Sequence, residues 1–290
     1  MPAQTTSKRL PPWFKIRLST NERYTEVRNR VREGALNTVC QSAACPNRNE
    51  CWNAGTAAFL ILGDVCTRRC GFCGVPTGAP RSVDREEAGR IADVVASLGL
   101  SYAVVTSVTR DDLPDGGACL FADTIRAIRR RIPNCRVEVL VPDFQGLPQP
   151  LDAVLDAFPD VLNHNIETVP SLYPRVRPQA DYGRSLQLLR RAKDRDAITK
   201  SGIMLGLGEG GEEVRSVLRD LRRAGCDLLT LGQYLPPSRE HLPVQRYYRP
   251  GEFESLRRLS LDLGFRDVVA GPLVRSSYRA ALQGAPAEGA

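Results

Sequence analysis

Six of the nine cysteines fall between Cys40 and Cys73, in two trios of different spacing. Cys66, Cys70 and Cys73 read C-x3-C-x2-C, and Cys40, Cys45 and Cys51 read C-x4-C-x5-C. A structural zinc site closes with four protein ligands, whereas an iron–sulfur cube held by three thiolates leaves one iron open for chemistry. Three thiols per group therefore point to two such cubes. A zinc knuckle or a set of redox thiols is the plainer alternative. Cys119, Cys135 and Cys226 fall in a helix and strands and read as small buried apolar residues.

Thiolates at these positions need a scaffold, and the pattern after residue 56 supplies one. Short apolar runs at Ala57–Leu62, Tyr102–Thr106, Arg136–Val141, Val161–Ile166, Ile203–Leu207 and Asp227–Leu231 read as strands. Longer amphipathic stretches near 84–98, 118–131, 149–157, 184–194, 212–224 and 251–263 read as helices, several closed by a glycine such as Gly99, Gly225 or Gly264. Six strand–helix units imply an α/β protein with a parallel sheet. Periodicity alone leaves an open doubly wound sheet and a partial (β/α)6 TIM-like barrel as alternatives. The polar and glycine-rich stretches after each strand favour the barrel, because barrels build their sites from the loops at the strands' carboxyl ends. The Cys66–Cys73 loop follows the first strand, where catalytic groups sit. Residues 1–55 are expected to form an N-terminal extension carrying the upstream trio, 56–266 the barrel, and 267–290 a last short strand and a tail. Within the extension, 20–33 reads as a helix capped by Ser19 or Thr20, with Tyr24, Val27 and Val31 on one face.

Composition narrows the function classes. No apolar run approaches the roughly 20 residues of a membrane span. The net charge of +7 comes mostly from arginines scattered over helices, such as Arg126, Arg129, Arg130 and Arg131, without interleaved aromatics. That pattern reads as a solvated helix face rather than a nucleic-acid surface. The first residues lack the continuous apolar stretch expected of a secretion signal. Basic, rich in Ser and Thr and free of acids up to Glu22, they leave an organelle transit peptide as an alternative, although Pro11 and Pro12 would break its helix. Free thiols that ligate iron suit a reducing compartment, so the cytoplasm is the expected location. His164, between Asn163 and Asn165, reads as a satisfied core residue and His241 as a surface one.

The stretch Cys66-Thr-Arg-Arg-Cys70-Gly-Phe72-Cys73 resembles the signature of the radical S-adenosylmethionine (SAM) enzymes, with an aromatic residue before the third cysteine. The resemblance implies a 4Fe–4S cluster whose open iron binds SAM and cleaves it to a 5′-deoxyadenosyl radical. The cofactor then supplies the hard chemistry while the protein supplies geometry and dryness. Gly202-Ile-Met-Leu-Gly206-Leu-Gly-Glu209 resembles the family's G-x-I-x-G-x-x-E pattern, placing Met204 near the adenine and Glu209 among the cofactor contacts. Asn165 and Glu167, at alternate positions of a strand end, project to one side and are candidates for the ribose hydroxyls. Thr106 and Ser107 end the second strand and are candidates for the same pocket.

The upstream trio, Cys40-Gln-Ser-Ala-Ala-Cys45-Pro-Asn-Arg-Asn-Glu-Cys51-Trp52, resembles the auxiliary-cluster motif of the lipoyl synthase family. Ala58–Cys66, Val105–Gly117, Asn163–Thr168 and Arg275-Ser-Ser-Tyr278 agree, so the likeness runs from about residue 37 to 280. It implies two 4Fe–4S clusters, an octanoyl-lysine substrate on a lipoyl carrier domain, and insertion of sulfur at C6 and C8. Two SAM molecules are consumed per lipoyl group. Hydrogen-atom abstraction suits these carbons, because no side chain can remove a proton from an unactivated alkyl carbon. The family likeness also implies that the sulfur comes from the auxiliary cluster and that Ser277 supplies an oxygen to that cluster's fourth iron. A hard oxygen ligand suits an iron that must depart. Arg275 is expected to support that cluster. A low-potential electron donor such as flavodoxin or ferredoxin, no nucleic acid, no membrane and a monomer complete the expectation. Two other readings compete: a radical SAM enzyme whose auxiliary cluster only relays electrons, and a zinc-stabilised nucleic-acid-binding module.

Overall fold

The computed structural model describes residues 10–16 and 20–283. A short 3-10 turn (Pro12–Phe14) precedes α1 (Glu22–Glu33), in which Val27 and Val31, one turn apart, are buried. Its cap is Asn21, whose side chain accepts from the Tyr24 N–H at 2.9 Å. Of the caps expected from the sequence, Ser19 lies outside the described residues. Thr20 is replaced in the role by the residue after it.

The chain then forms β1 (Asn37–Thr38), α2 (Val39–Ser42) and α3 (Arg48–Asn53), and enters β2 (Ala58–Ile61). The strand–helix alternation follows with α4 (Glu87–Ser97), β3 (Tyr102–Ser107), α5 (Ala118–Arg131), β4 (Arg136–Leu140) and α6 (Pro148–Leu155). Next come β5 (Val161–Asn163), the single turn α7 (Tyr173–Val176), α8 (Tyr182–Asp194), β6 (Thr199–Leu205) and α9 (Gly211–Arg223). The series ends with β7 (Leu228–Gln233), α10 (Pro250–Asp262) and β8 (Asp267–Gly271).

The sheet order is sequential, β1 to β8. β1 pairs antiparallel with β2, and every pairing from β2 to β8 is parallel. Six strand–helix units plus a seventh parallel strand, with β1 and β8 as unpaired edges, make the partial barrel. Each strand from β2 to β7 is buried along nearly its whole length, as strands covered on both faces must be.

Three details differ from the sequence expectation. β1 is too short for periodicity to reveal. β5 stops at Asn163, and β6 begins at Thr199, four residues earlier than expected, since Lys200 and Ser201 lie inside the barrel despite their polarity. Lys200 is fully buried because its ammonium reaches both oxygens of buried Glu138 at 3.1 Å; Glu138 also accepts from Tyr102 Oη at 2.8 Å and Asn163 Nδ2 at 3.1 Å. A buried charge is tolerable only when paired in this way.

The segments next to the two edges of the sheet meet. Asn47, between the first trio's second and third cysteines, donates through Nδ2 to the Leu273 carbonyl at 2.6 Å. The segment after β8 lies flat on β7, since a Cβ on Gly232 would fall 2.1 Å from the Val274 carbonyl oxygen. The N-terminal extension and the C-terminal segment therefore close the open side of the barrel together.

Candidate active site at the carboxyl ends of the strands

A cavity of about 660 Å³ opens at the strands' carboxyl ends. Cys66, Cys70 and Cys73 line it from the loop after β2; Cys40 and Cys45 line it from α2 and the turn after it; Ser277 and Arg275 line it from the C-terminal segment. Cys51, on α3, is half-buried and does not line the cavity. Burial and the neighbouring Cys40 and Cys45 thiols push its thiol up to about 12. All nine cysteines are free. Among the described residues, no three His, Cys, Asp or Glu side chains close around the position of one metal ion. The thiols of each trio are thus neighbours without converging on a single point.

The radical-type trio is held by backbone and by its neighbours. Cys66 Sγ accepts from the N–H groups of Arg68 at 3.4 Å and Thr109 at 3.3 Å. Burial raises the Cys70 thiol to about 12 against the opposing charge of Arg177, and burial raises Cys73 as well. Such thiols remain protonated unless a metal takes the proton's place. Phe72 and Met204 both pack against the small cluster of Val176, Leu207 and Tyr234, so the aromatic before Cys73 meets the end of β6.

Asn165 and Glu167 do face each other, by a different route from a continuous strand. Glu167 takes a left-handed backbone (φ 66°) and bridges to β6, its N–H donating to the Gly202 carbonyl at 2.9 Å. Its carboxyl accepts from Asn165 Nδ2 at 3.0 Å, and desolvation raises its pKa. Asn165 Oδ1 is buried without a partner, aimed toward Gly202, where a Cβ would come within 2.8 Å of it. Thr106 lines the cavity, yet its hydroxyl donates to the Leu140 carbonyl at 3.0 Å; the hydroxyl of Ser107 is the one left buried and unpartnered.

Glu209 does not line the cavity. Its carboxylate accepts from the N–H groups of Gly206 at 2.6 Å, Leu207 at 2.9 Å and Gly208 at 3.1 Å, shaping the turn after β6. Gly206 is required in that turn: it sits at φ 103°, and a Cβ would fall 2.1 Å from Gln233 Nε2. Glu209 therefore orders the loop from behind.

Both histidines are hydrogen-bonded. His164 is buried, its Nδ1 2.9 Å from the Val141 carbonyl and its Nε2 3.0 Å from Ser185 Oγ, and burial lowers its pKa to about 4. The core reading of His164 holds, although it also forms part of the cavity wall. His241 is more than a surface residue: its Nε2 lies 3.0 Å from the Cys73 carbonyl, and the adjacent Leu242 N–H donates to Gly71 at 3.1 Å. Cys135 and Cys226 are buried as expected, whereas Cys119 is exposed in the first turn of α5.

Arg68 carries the site without drawing attention in the sequence, whereas the sequence already makes Arg177, with Arg175, a candidate for the methionine carboxylate or a partner's acids. Arg68 is buried between Cys66 and Cys70 and grips two loops, Asp111 at 2.6 and 2.8 Å and Asp143 at 2.6 Å. Burial alone would raise the Asp143 carboxyl, but the bond and charge of Arg68 hold it down at about 2. Arg177 is buried with its guanidinium on the carbonyls of Asn165 at 2.8 Å and Ile166 at 3.1 Å and 5.3 Å from the Tyr173 ring centre. Nothing in the run Cys66–Cys73 tells inward Arg68 from outward Arg69.

Residues 60–251 match the model of the Radical SAM superfamily. The chain is 57% identical over 272 residues to a lipoyl synthase of Rubrobacter xylanophilus, covering 93% of this chain and 85% of that protein. It is 54% identical over 278 residues to a lipoyl synthase of Mycobacterium tuberculosis, covering 96% and 89%. Its fold is similar to the crystal structure of methylornithine synthase (PylB), with a TM-score of 0.56 at 14% identity over 85% of this chain and 81% of that one. The trios, the barrel that presents them and the long, high-identity match agree: the chain is an enzyme belonging to the lipoyl synthase family of the radical SAM superfamily.

Proposed function

We propose that this enzyme inserts two sulfur atoms, at C6 and C8, into an octanoyl chain borne on a lysine of a lipoyl carrier domain. The observation that carries the reading is that residues of both cysteine trios and Ser277 line one cavity. In this reading Cys66, Cys70 and Cys73 hold one 4Fe–4S cluster, and Cys40, Cys45, Cys51 and Ser277 Oγ hold the auxiliary one. The residues fit these groups: the thiols are free and clustered in threes, and Asn165 Oδ1 and Ser107 Oγ are buried polar atoms awaiting partners. When bound, the clusters and SAM supply a hydrogen-abstracting radical and the sulfur that replaces the hydrogen.

The chain's own residues bind, orient and exclude water. Phe72 and Met204 offer an apolar wall for the adenine, and Gly202 keeps the space beside Asn165 open. In this reading Asn165 and Glu167 bind the ribose hydroxyls, and Thr106 and Ser107 line the same cavity. Val39, Ala43, Leu60, Val75 and Val274 give the cavity an apolar lining that suits an alkyl chain and keeps bulk water out. Arg275, which lines the same cavity and feels the charge of Cys45, would orient the auxiliary group.

A low-potential electron donor of the flavodoxin or ferredoxin kind, a cytoplasmic location and a monomer that docks its carrier transiently complete the reading. Among the described residues no helix is long and apolar enough to cross a membrane. The test is anaerobic reconstitution with iron and sulfide, followed by mass spectrometry of an octanoyl-lysine peptide. A dithiolated peptide formed with two deoxyadenosines supports the reading. Deoxyadenosine without dithiolated peptide would favour an auxiliary cluster that only relays electrons.

A further inference from the structure

The C-terminal segment that carries Ser277 is anchored ahead of the serine and again beyond it, where Ala280 and Gln283 are buried, but its contacts to the extension differ on the two sides. Ahead of the serine it is locked: Asn47, itself 4% exposed, donates to Leu273, and Arg275 donates to the carbonyls of Val274 at 2.8 Å and Gln233 at 3.2 Å. Behind the serine, the contacts to the extension are of another kind. Glu50 Oε1 accepts from Tyr278 Oη at 2.9 Å and from Arg279 Nη2 at 3.1 Å. The Glu50 and Arg279 side chains are 52% and 59% exposed. Water competes for both partners there, so these bonds are individually weak. Arg279 also takes a left-handed backbone (φ 51°), a conformation that a non-glycine residue keeps only when its surroundings hold it.

Glu50 is next to Cys51, and Tyr278 is next to Ser277. The carboxylate therefore ties the helix of the third thiol to the residues following the serine, across more than two hundred positions of sequence. We infer that Glu50 is a positioning residue for the auxiliary centre: through Tyr278 and Arg279 it holds Ser277 toward the first cysteine trio with a grip that is readily released. Buried Ala280 and Gln283 anchor the chain beyond this exposed contact, so only the short stretch between the two anchors, Ser277 included, is held by Glu50. The inference rests on the proposed role of Ser277 as a ligand.

The test compares Mössbauer spectra and peptide turnover of reconstituted holoenzymes carrying Ser277→Ala, Glu50→Ala, Glu50→Gln and Tyr278→Phe. Ser277→Ala defines the spectrum of an auxiliary centre lacking the oxygen ligand. Glu50→Ala should move part of the auxiliary iron toward that spectrum, raising the fraction without serine about fivefold, the scale of two exposed hydrogen bonds. Glu50→Gln, which keeps the acceptor, should restore the native spectrum, and Tyr278→Phe, which keeps the packing, should give a smaller shift in the Ala direction. If Ser277→Ala changes the spectrum while Glu50→Ala and Tyr278→Phe leave it native, the positioning role is wrong and the ligand role stands. If Ser277→Ala itself leaves the spectrum native, the ligand role fails and the inference falls with it.

Discussion

Arg68 and Asp143 form an ion pair of 2.6 Å, with side chains 5% and 0% exposed, that joins the cysteine loop after β2 to the loop after β4. Asp111 and Arg184 extend it at 2.6 and 3.2 Å. A guanidinium presents a rigid fork to two carboxylates at once, which a lysine cannot copy. The pair fixes the position of Cys66 and Cys70 relative to the barrel without using either thiol.

Breaking this pair should separate stability from chemistry. Asp143→Ala leaves Arg68 partly uncompensated and should cost about 3–5 kcal/mol, read from denaturant unfolding. Arg68→Lys retains charge and should fold, yet lower the rate of deoxyadenosine formation on the order of tenfold or more through misplacement of the loop. A fully active Arg68→Lys enzyme would show that the fork is not what aligns the cysteines.

Inside the barrel, Lys200 and Glu138 are the deepest charged pair. Lys200→Met strands Glu138 among apolar strands and should destabilise by about 3–5 kcal/mol. The double change Lys200→Met with Glu138→Gln should cost clearly less, because no naked charge remains. Equal costs for the single and double variants would mean that packing, not pairing, sets the stability here.

His164 gives a pH signature. Its folded pKa is lowered from 6.5 to about 4 by burial, so the unfolded chain takes up a proton over that interval and the folded protein does not. Stability should therefore be full above about pH 6.5 and decline by about 3 kcal/mol as the pH falls toward 4. His164→Gln should flatten that part of the unfolding profile. An unchanged slope in the variant would assign the acid sensitivity to other groups.

Gly202→Ala would bring a methyl within 2.8 Å of Asn165 Oδ1 and of Thr230 Oγ1. The expected result is weaker SAM binding, seen as a KM for SAM raised about tenfold or more while both clusters still assemble. An unchanged KM would remove Asn165 from the cofactor's contacts.

Much of this was legible in the sequence because each signal was redundant. The helix over 118–131 was bounded by periodicity and lies at those residues; the trios announced themselves by type and spacing; and the strand-loop alternation placed Cys66–Cys73 at the active end. What escaped depended on partners distant in the chain. Lys200 and Ser201 look like loop residues until Glu138 and the neighbouring strands are present. His241 looks exposed until the Cys73 carbonyl is beside it. Glu209 matched a pattern, yet three backbone N–H groups of its own turn claim its carboxylate. The Glu50 bridge to Tyr278 joins residues that no local pattern could pair.

Two iron–sulfur cubes with different fates are the central claim, and isotopic sulfur tests it most directly. Enzyme reconstituted anaerobically with labelled sulfide, to about eight irons per chain, is reacted with octanoyl-lysine peptide, SAM and reduced flavodoxin as the electron donor, without added sulfur. Both inserted sulfurs should carry the label, product should stop at a single lipoyl group per chain, and replacing Cys40, Cys45 or Cys51 by Ala should abolish it while deoxyadenosine formation persists. Unlabelled sulfur in the product, or dithiolated peptide from a chain lacking the upstream trio, would contradict the account.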